Sequence, residues 1–266
     1  MNHNRLLMQT SGLALILLLL VSCGTPQPTP TPTRTPMPPT PTAQGPSWDY
    51  VALGDSIAAQ SRSYPYFYAA HIEADQGVRV RLNNLARNGM TSGDLLWSLR
   101  NLQPFRDAIS EAEVVTVVIG VNDVVTPLVG PYKSGNCGGE DNRDCIRDAL
   151  ESFGLNYDAA IAEILALCSS QTMVRTMTYY YPDLADWGLD EDLRPFIEPM
   201  NDHIIQVASE NNIPVALVHL VFNGPDGEQD PILEGYLVND GLHPSELGAT
   251  VIADLHQELG YEYTPR

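Results

Sequence analysis

Five short apolar runs rich in β-branched residues recur along this chain, at residues 50–53, 78–82, 114–119, 173–177 and 214–220. Each is nearly continuous in hydrophobicity, as expected of a strand buried on both faces. Helical patterns fall between and after them, at residues 64–74, 93–102, 146–168, 196–211 and 245–259. Alternating strands and helices imply βαβ units, and therefore an α/β fold whose parallel sheet is covered on both faces. A chain of 266 residues accommodates one such domain plus an N-terminal appendage, and no internal repeat divides it.

Sheets of this kind bind ligands in the loops beyond the carboxyl ends of their strands. Gly54, Asp55 and Ser56 follow the first run, Asn88 and Gly89 the second, and Gly120, Val121, Asn122 and Asp123 the third. Asp240, Gly241, Leu242, His243 and Pro244 precede the last helical pattern. Taken singly, each set has a structural explanation. Gly-Asp-Ser suits a turn with a helix cap, Asn-Gly is a common turn pair, and Asn122 with Asp123 suits a strand end. Pro244 suits the first turn of a helix. Together they supply what acyl transfer needs: a nucleophile, a base, an acceptor that fixes the base's tautomer, and donors for an oxyanion.

The conjunction resembles the GDSL, or SGNH, hydrolase family, named for its signature Ser, Gly, Asn and His. Here these are Ser56 in Gly54-Asp55-Ser56-Ile57, Gly89 in Asn84-Leu85-Ala86-Arg87-Asn88-Gly89, Asn122 in Gly120-Val121-Asn122-Asp123, and His243 in Asp240-Gly241-Leu242-His243-Pro244. The blocks occur in order over about residues 48–260. The departure is Ile57 where the family name has Leu.

The resemblance implies a three-layer α/β/α flavodoxin-like domain on a mainly five-stranded parallel sheet. It also implies a serine-dependent carboxylic ester hydrolase, esterase or lipase-like, that acts through an acyl-enzyme and needs no cofactor. Ser56 would be the nucleophile, His243 the base and Asp240 the orienting acid. The oxyanion hole would comprise the Ser56 and Gly89 N–H groups and the Asn122 amide. The chemistry agrees, because glycine lets a backbone N–H approach a ligand closely and an amide donates without adding charge. The α/β-hydrolase elbow Gly-x-Ser-x-Gly is not met, since Ala58 holds the second glycine's place. The substrate would be a small-molecule, lipid or carbohydrate ester. A non-catalytic surface binding lipoprotein on the same fold is the alternative, because fold alone does not fix function.

Residues 1–22 read as a secretory signal: Arg5 leads an apolar stretch at 12–20 that is shorter than the ~20 residues a membrane span needs. Leu20, Val21, Ser22 and Cys23 resemble the lipobox of bacterial lipoproteins. That resemblance implies a diacylglycerol on Cys23, lipidation as the link to the membrane, and an extracytoplasmic domain; simple secretion is the alternative. Cys23 and the Pro/Thr-rich residues to 46 form a linker, with the hydrolase domain at 47–266. Proline removes backbone donors, so the linker is expected to be an extended spacer of about 70 Å at roughly 3.1 Å per residue.

The net charge of −19 offers no electrostatic footprint for nucleic acid. It also disfavours contact between the domain and anionic headgroups, leaving membrane association to the lipid. Cys137 and Cys145 are expected to pair across a turn-rich loop, and no nearby His suggests metal. Cys168 ends a helical pattern and reads as a buried thiol. His71, His203, His219 and His256 read as structural, with His219 at a strand end near the site. Tyr179, Tyr180, Tyr181, Trp187 and residues 222–239 are candidates to shape the substrate pocket. Asp226, Glu228 and Asp230 invite a calcium reading but read more simply as a solvated acidic loop.

Overall fold

The computed structural model describes residues 45–189 and 193–263. The expected signal at 1–22, the lipid on Cys23 and the spacer up to residue 44 lie outside the described residues.

Strand β1 (Ser47–Gly54) pairs in parallel with β2 (Arg79–Asn84) on one side and β3 (Val114–Val118) on the other. β4 (Met173–Met177) and then β5 (Val215–Ala216) complete the order β2-β1-β3-β4-β5. This is the flavodoxin-like arrangement, whose strand order reverses between β1 and β3. Helix α1 (Ser56–Ala59) starts directly after β1. Helix α2 (Tyr64–Gln76) packs with α9 (Glu246–Glu258), and α3 (Ser92–Asn101) packs with α6 (Asp144–Leu167), which in turn meets α7 (Arg194–Glu210). Right-handed crossovers put α2 and α9 on one face of the sheet and α3, α6 and α7 on the other. β3 and β4 are buried along their whole length between two helical layers, although β4 carries Arg175 and Thr176 among its apolar residues.

Two strands depart from expectation. β2 is not buried on both faces; as an edge strand carrying Arg79 and Arg81 it alternates exposed with half-buried positions. β5 stops after two residues, where pairing with β4 ends at Met177↔Ala216. The rest of that apolar run turns into α8 (Val218–Phe222), so His219 lies on a helix and not at a strand end. Leaving the sheet carries Leu217 and Leu220 to the surface.

Two further helices were not expected from periodicity: α4 (Gln103–Glu111), which has Pro104 in its first turn, and α5 (Val121–Pro127), which starts at the end of β3. Cys137 and Cys145 are joined by a disulfide that closes a loop turned by Gly138, Gly139 and Asn142, all at positive φ. Cys168 caps the end of α6 and is half-buried, not buried. Among the described residues no helix is long and apolar enough to cross a membrane.

Candidate active site

The turn between β1 and α1 is set by Gly54. Its φ is +133°, and a Cβ there would lie 1.8 Å from the Val118 carbonyl oxygen, so only glycine lets β1 run this close to β3. Asp55 N–H then donates to that same carbonyl, and Ser56 emerges as the first residue of α1, only 6% exposed.

His243 reaches Ser56 from the loop before α9. Asp240 Oδ2 accepts from His243 Nδ1 at 2.7 Å, which fixes the proton on Nδ1 because a carboxylate only accepts. Nε2 is therefore bare and accepts from the Ser56 hydroxyl at 2.9 Å. Asp240 Oδ1 also accepts from the Leu242 and His243 N–H groups, each at 2.9 Å. Burial raises the Asp240 pKa, but these hydrogen bonds and the adjacent imidazole outweigh it and hold the carboxyl below its usual value.

The loop itself is clamped from β4's side. Tyr180 OH donates to the Leu242 carbonyl, and Trp187 Nε1 donates to the Asp240 carbonyl at 2.9 Å. Gly241 lies at φ +70° with its carbonyl accepting from Asp183 N–H, and a Cβ would meet the Asp183 carbonyl oxygen at 1.7 Å. Tyr179 and Tyr180 are thus buried anchors of the site and not pocket walls. Nothing in the local sequence announced these bonds, nor Asn201, whose amide on α7 clamps both backbone groups of Tyr179 at 2.7 Å.

The loops that carry Gly89 and Asn122 meet each other. Beyond β2 the chain keeps to the side of β1, with Arg87 N–H donating to the Gly54 carbonyl at 2.9 Å, before Gly89 turns at φ +73°. Asn122 Nδ2 donates to the Met90 carbonyl at 3.0 Å, which sets the two loops against each other. Asp123 holds them there, accepting from Ser92 N–H at 2.9 Å and from its hydroxyl at 2.6 Å.

Asp55 is fully buried. It accepts from Ile57 N–H at 3.0 Å and from the Tyr179 hydroxyl, yet burial outweighs both bonds and pushes its pKa from 3.8 up to about 7. The folded-state value lies above the unfolded one, so between about pH 4 and pH 7 the native state keeps a proton that the unfolded state releases. Asp55 therefore costs stability as pH rises through that window. Asp55→Asn keeps an acceptor for Ile57 and removes the titration. Its Tm relative to wild type should rise from pH 4 to pH 8, and melts at both values test this; a constant difference would show that Asp55 does not titrate there.

The other singled-out residues do not join the site. His71 and His203 donate to Asp254 and Asp158, and buried His256 stacks on Tyr64. His219 bonds Thr178 Oγ1 at 2.7 Å through Nδ1. In the acidic loop, Asp226 and Asp230 accept from nearby backbone N–H groups and Glu228 pairs with Arg194. Among the described residues no three His, Cys, Asp or Glu side chains gather as a metal would require.

The model of the GDSL-like lipase/acylhydrolase family matches residues 52–251, a span that contains all four sequence blocks. The chain belongs to that family. As a GDSL-like lipase/acylhydrolase it is an ester-hydrolysing enzyme, and its five-stranded parallel sheet is shared by solved relatives. A lipase from a goat rumen metagenome aligns with TM-score 0.65 at 22% identity, over 80% of this chain and 98% of its own. An acetylxylan esterase from Geobacillus stearothermophilus aligns with TM-score 0.61 at 20% identity, over 83% and 97%. A lipase/acylhydrolase from Enterococcus faecalis aligns with TM-score 0.57 at 21% identity, over 82% and 98%. No curated protein matches the chain.

Proposed function

We propose that this GDSL-like hydrolase cleaves carboxylic esters through an acyl-enzyme on Ser56. The reading is carried by one observation: the unbroken line from Asp240 Oδ2 through His243 to Ser56 Oγ, with contacts of 2.7 and 2.9 Å. Ser56 Oγ attacks the ester carbonyl carbon while Nε2 takes its proton. The N–H groups of Ser56 and Gly89 and the Asn122 amide hold the resulting oxyanion. Collapse expels the alkoxide, which receives the proton from Nε2. Water, deprotonated by His243, then attacks the acyl carbon, and Nε2 returns that proton to Ser56 Oγ as the acyl–oxygen bond breaks and the acid leaves. Anionic Asp240 stabilises the imidazolium that forms in each half-reaction. The similar structures named as a lipase and an acetylxylan esterase put both lipid and carbohydrate esters within the range to be tested.

A fluorophosphonate probe tests the nucleophile directly. Covalent labelling should map to the peptide carrying Ser56 and should vanish in Ser56→Ala. Folded wild-type protein that resists the probe would instead favour a binding protein on the same fold.

The domain works outside the cytoplasm, held to a bacterial membrane through a lipid on Cys23 after removal of residues 1–22, with the Pro/Thr-rich segment as its spacer. The Cys137–Cys145 disulfide supports this compartment, since such bonds persist where the surroundings oxidise thiols. Cys23→Ser should move the enzyme from the membrane to the soluble fraction at unchanged specific activity. Labelled fatty acid should enter the wild type and not the variant; incorporation into neither would remove the anchor.

A further inference from the structure

An ester presents two arms to Ser56, and we infer that a cavity of about 170 Å³ between the loop after α1 and the start of α9 receives the alcohol arm. The inference rests on Ser56 and His243 acting as proposed above. Ser56 itself borders the cavity, and Ile57, Val238, Pro244 and Ala249 give it an apolar wall; residues 60–63 make the facing side polar.

The arm is assigned by where the proton goes. His243 Nε2 delivers it to the departing alkoxide, so that oxygen sits at Nε2, and the chain continuing from His243 through Pro244, Ser245 and Glu246 is the cavity wall. Besides the Ser56 N–H, the oxyanion donors Gly89 and Asn122 come from the loops after β2 and β3, and neither of these two lines this cavity. Gly89 borders a separate cleft of about 280 Å³ with Trp97 and Arg87, which leaves that side for the acyl arm.

Size and rim then set the limit. A cavity of roughly 150 Å³ in a protein interior admits benzene, so this one holds a group of about six carbons. Arg62 and Glu246 both line the cavity and are joined by an ion pair. Both side chains are mostly exposed, at 70% and 54%, and pairs of that kind contribute little to stability. Arg62 nevertheless occupies the left-handed region at φ +63°, an uncommon conformation for a long side chain and one that clusters at functional sites. The turn beneath is pinned, with Ser63 Oγ donating to the Ala58 carbonyl at 2.6 Å and Ser63 N–H to the Gln60 carbonyl at 3.2 Å. The pair acts as a steric stop on the leaving alcohol.

The test compares kcat/KM for phenyl and 2-naphthyl acetate, whose leaving groups are similar in acidity. Glu246→Ala should raise the naphthyl-to-phenyl ratio by about 10-fold over wild type, and Val238→Phe should lower phenyl acetate against methyl acetate by a similar factor. Both positions are exposed enough for the variants to fold. The ratio of p-nitrophenyl hexanoate to acetate, which varies only the acyl arm, should stay near wild type. A shift in the acyl ratio instead, or no shift in either, overturns the assignment. Ser56→Ala is measured alongside: normal turnover by that variant would overturn the nucleophile reading and this inference together, whereas unchanged ratios in an enzyme that needs Ser56 overturn only the inference.

Discussion

Ser56→Ala is expected to lower kcat by about 10⁴-fold to 10⁶-fold on any ester the wild type hydrolyses, and His243→Ala by a comparable factor. The reason is that the two act as a unit. Without the hydroxyl there is nothing for Nε2 to deprotonate, and without Nε2 the hydroxyl stays a weak nucleophile at neutral pH. The double variant should consequently be little worse than either single one. Steady-state rates on p-nitrophenyl acetate, with folding verified by circular dichroism, check this. A His243→Ala enzyme working near the wild-type rate would remove His243 from the mechanism.

The second large effect is expected at Asn122. Its amide carries two N–H groups; one donates to the Met90 carbonyl, and the other remains for an oxyanion. Asn122→Ala should lower kcat by about 10²-fold to 10³-fold, the usual result of removing one such donor. KM should move little, because the bond strengthens chiefly in the transition state. The contact with Met90 also gives Asn122 a structural role, whose loss would lower the thermal midpoint by an amount corresponding to about 1–3 kcal/mol. Measuring kcat and the midpoint on the same protein separates the two. A lowered midpoint with normal kcat would leave Asn122 a tie between loops and nothing more.

Much of the fold was legible because strands buried on both faces are mostly apolar; β1 from residue 50 and β3 are nearly so, and β4 was legible in spite of the buried Arg175 and Thr176 within it. β5 was not, because Leu217 and Leu220 belong to an apolar run whose fate depends on where β4 stops offering partners. The blocks around Ser56, Gly89, Asn122 and His243 pointed to the right sheet edge, since each follows or precedes a periodic segment. Their supports were hidden. Tyr179 meets Asp55 across 124 positions, and no local pattern encodes a partner at that distance. Arg62 gave no sign either, for an arginine at positive φ is dictated by the turn around it and not by its own preference.

The clamps on the histidine loop carry a consequence for inheritance and engineering. Tyr180, Asp183 and Trp187 hold residues 240–242 through backbone groups, so the segment after β4 and the segment before α9 constitute one transplantable module. A graft of one segment alone that lacked Tyr180 or Trp187, or that shifted the backbone path of either segment, would separate these donors from the carbonyls of residues 240–242. Chimaeras that exchange both together should keep a working base, whereas single-segment chimaeras should fold and yet turn over slowly. Loss of Tyr180 or Trp187 would therefore loosen residues 240–242 from a distance, although neither side chain belongs to the Asp240–His243–Ser56 relay.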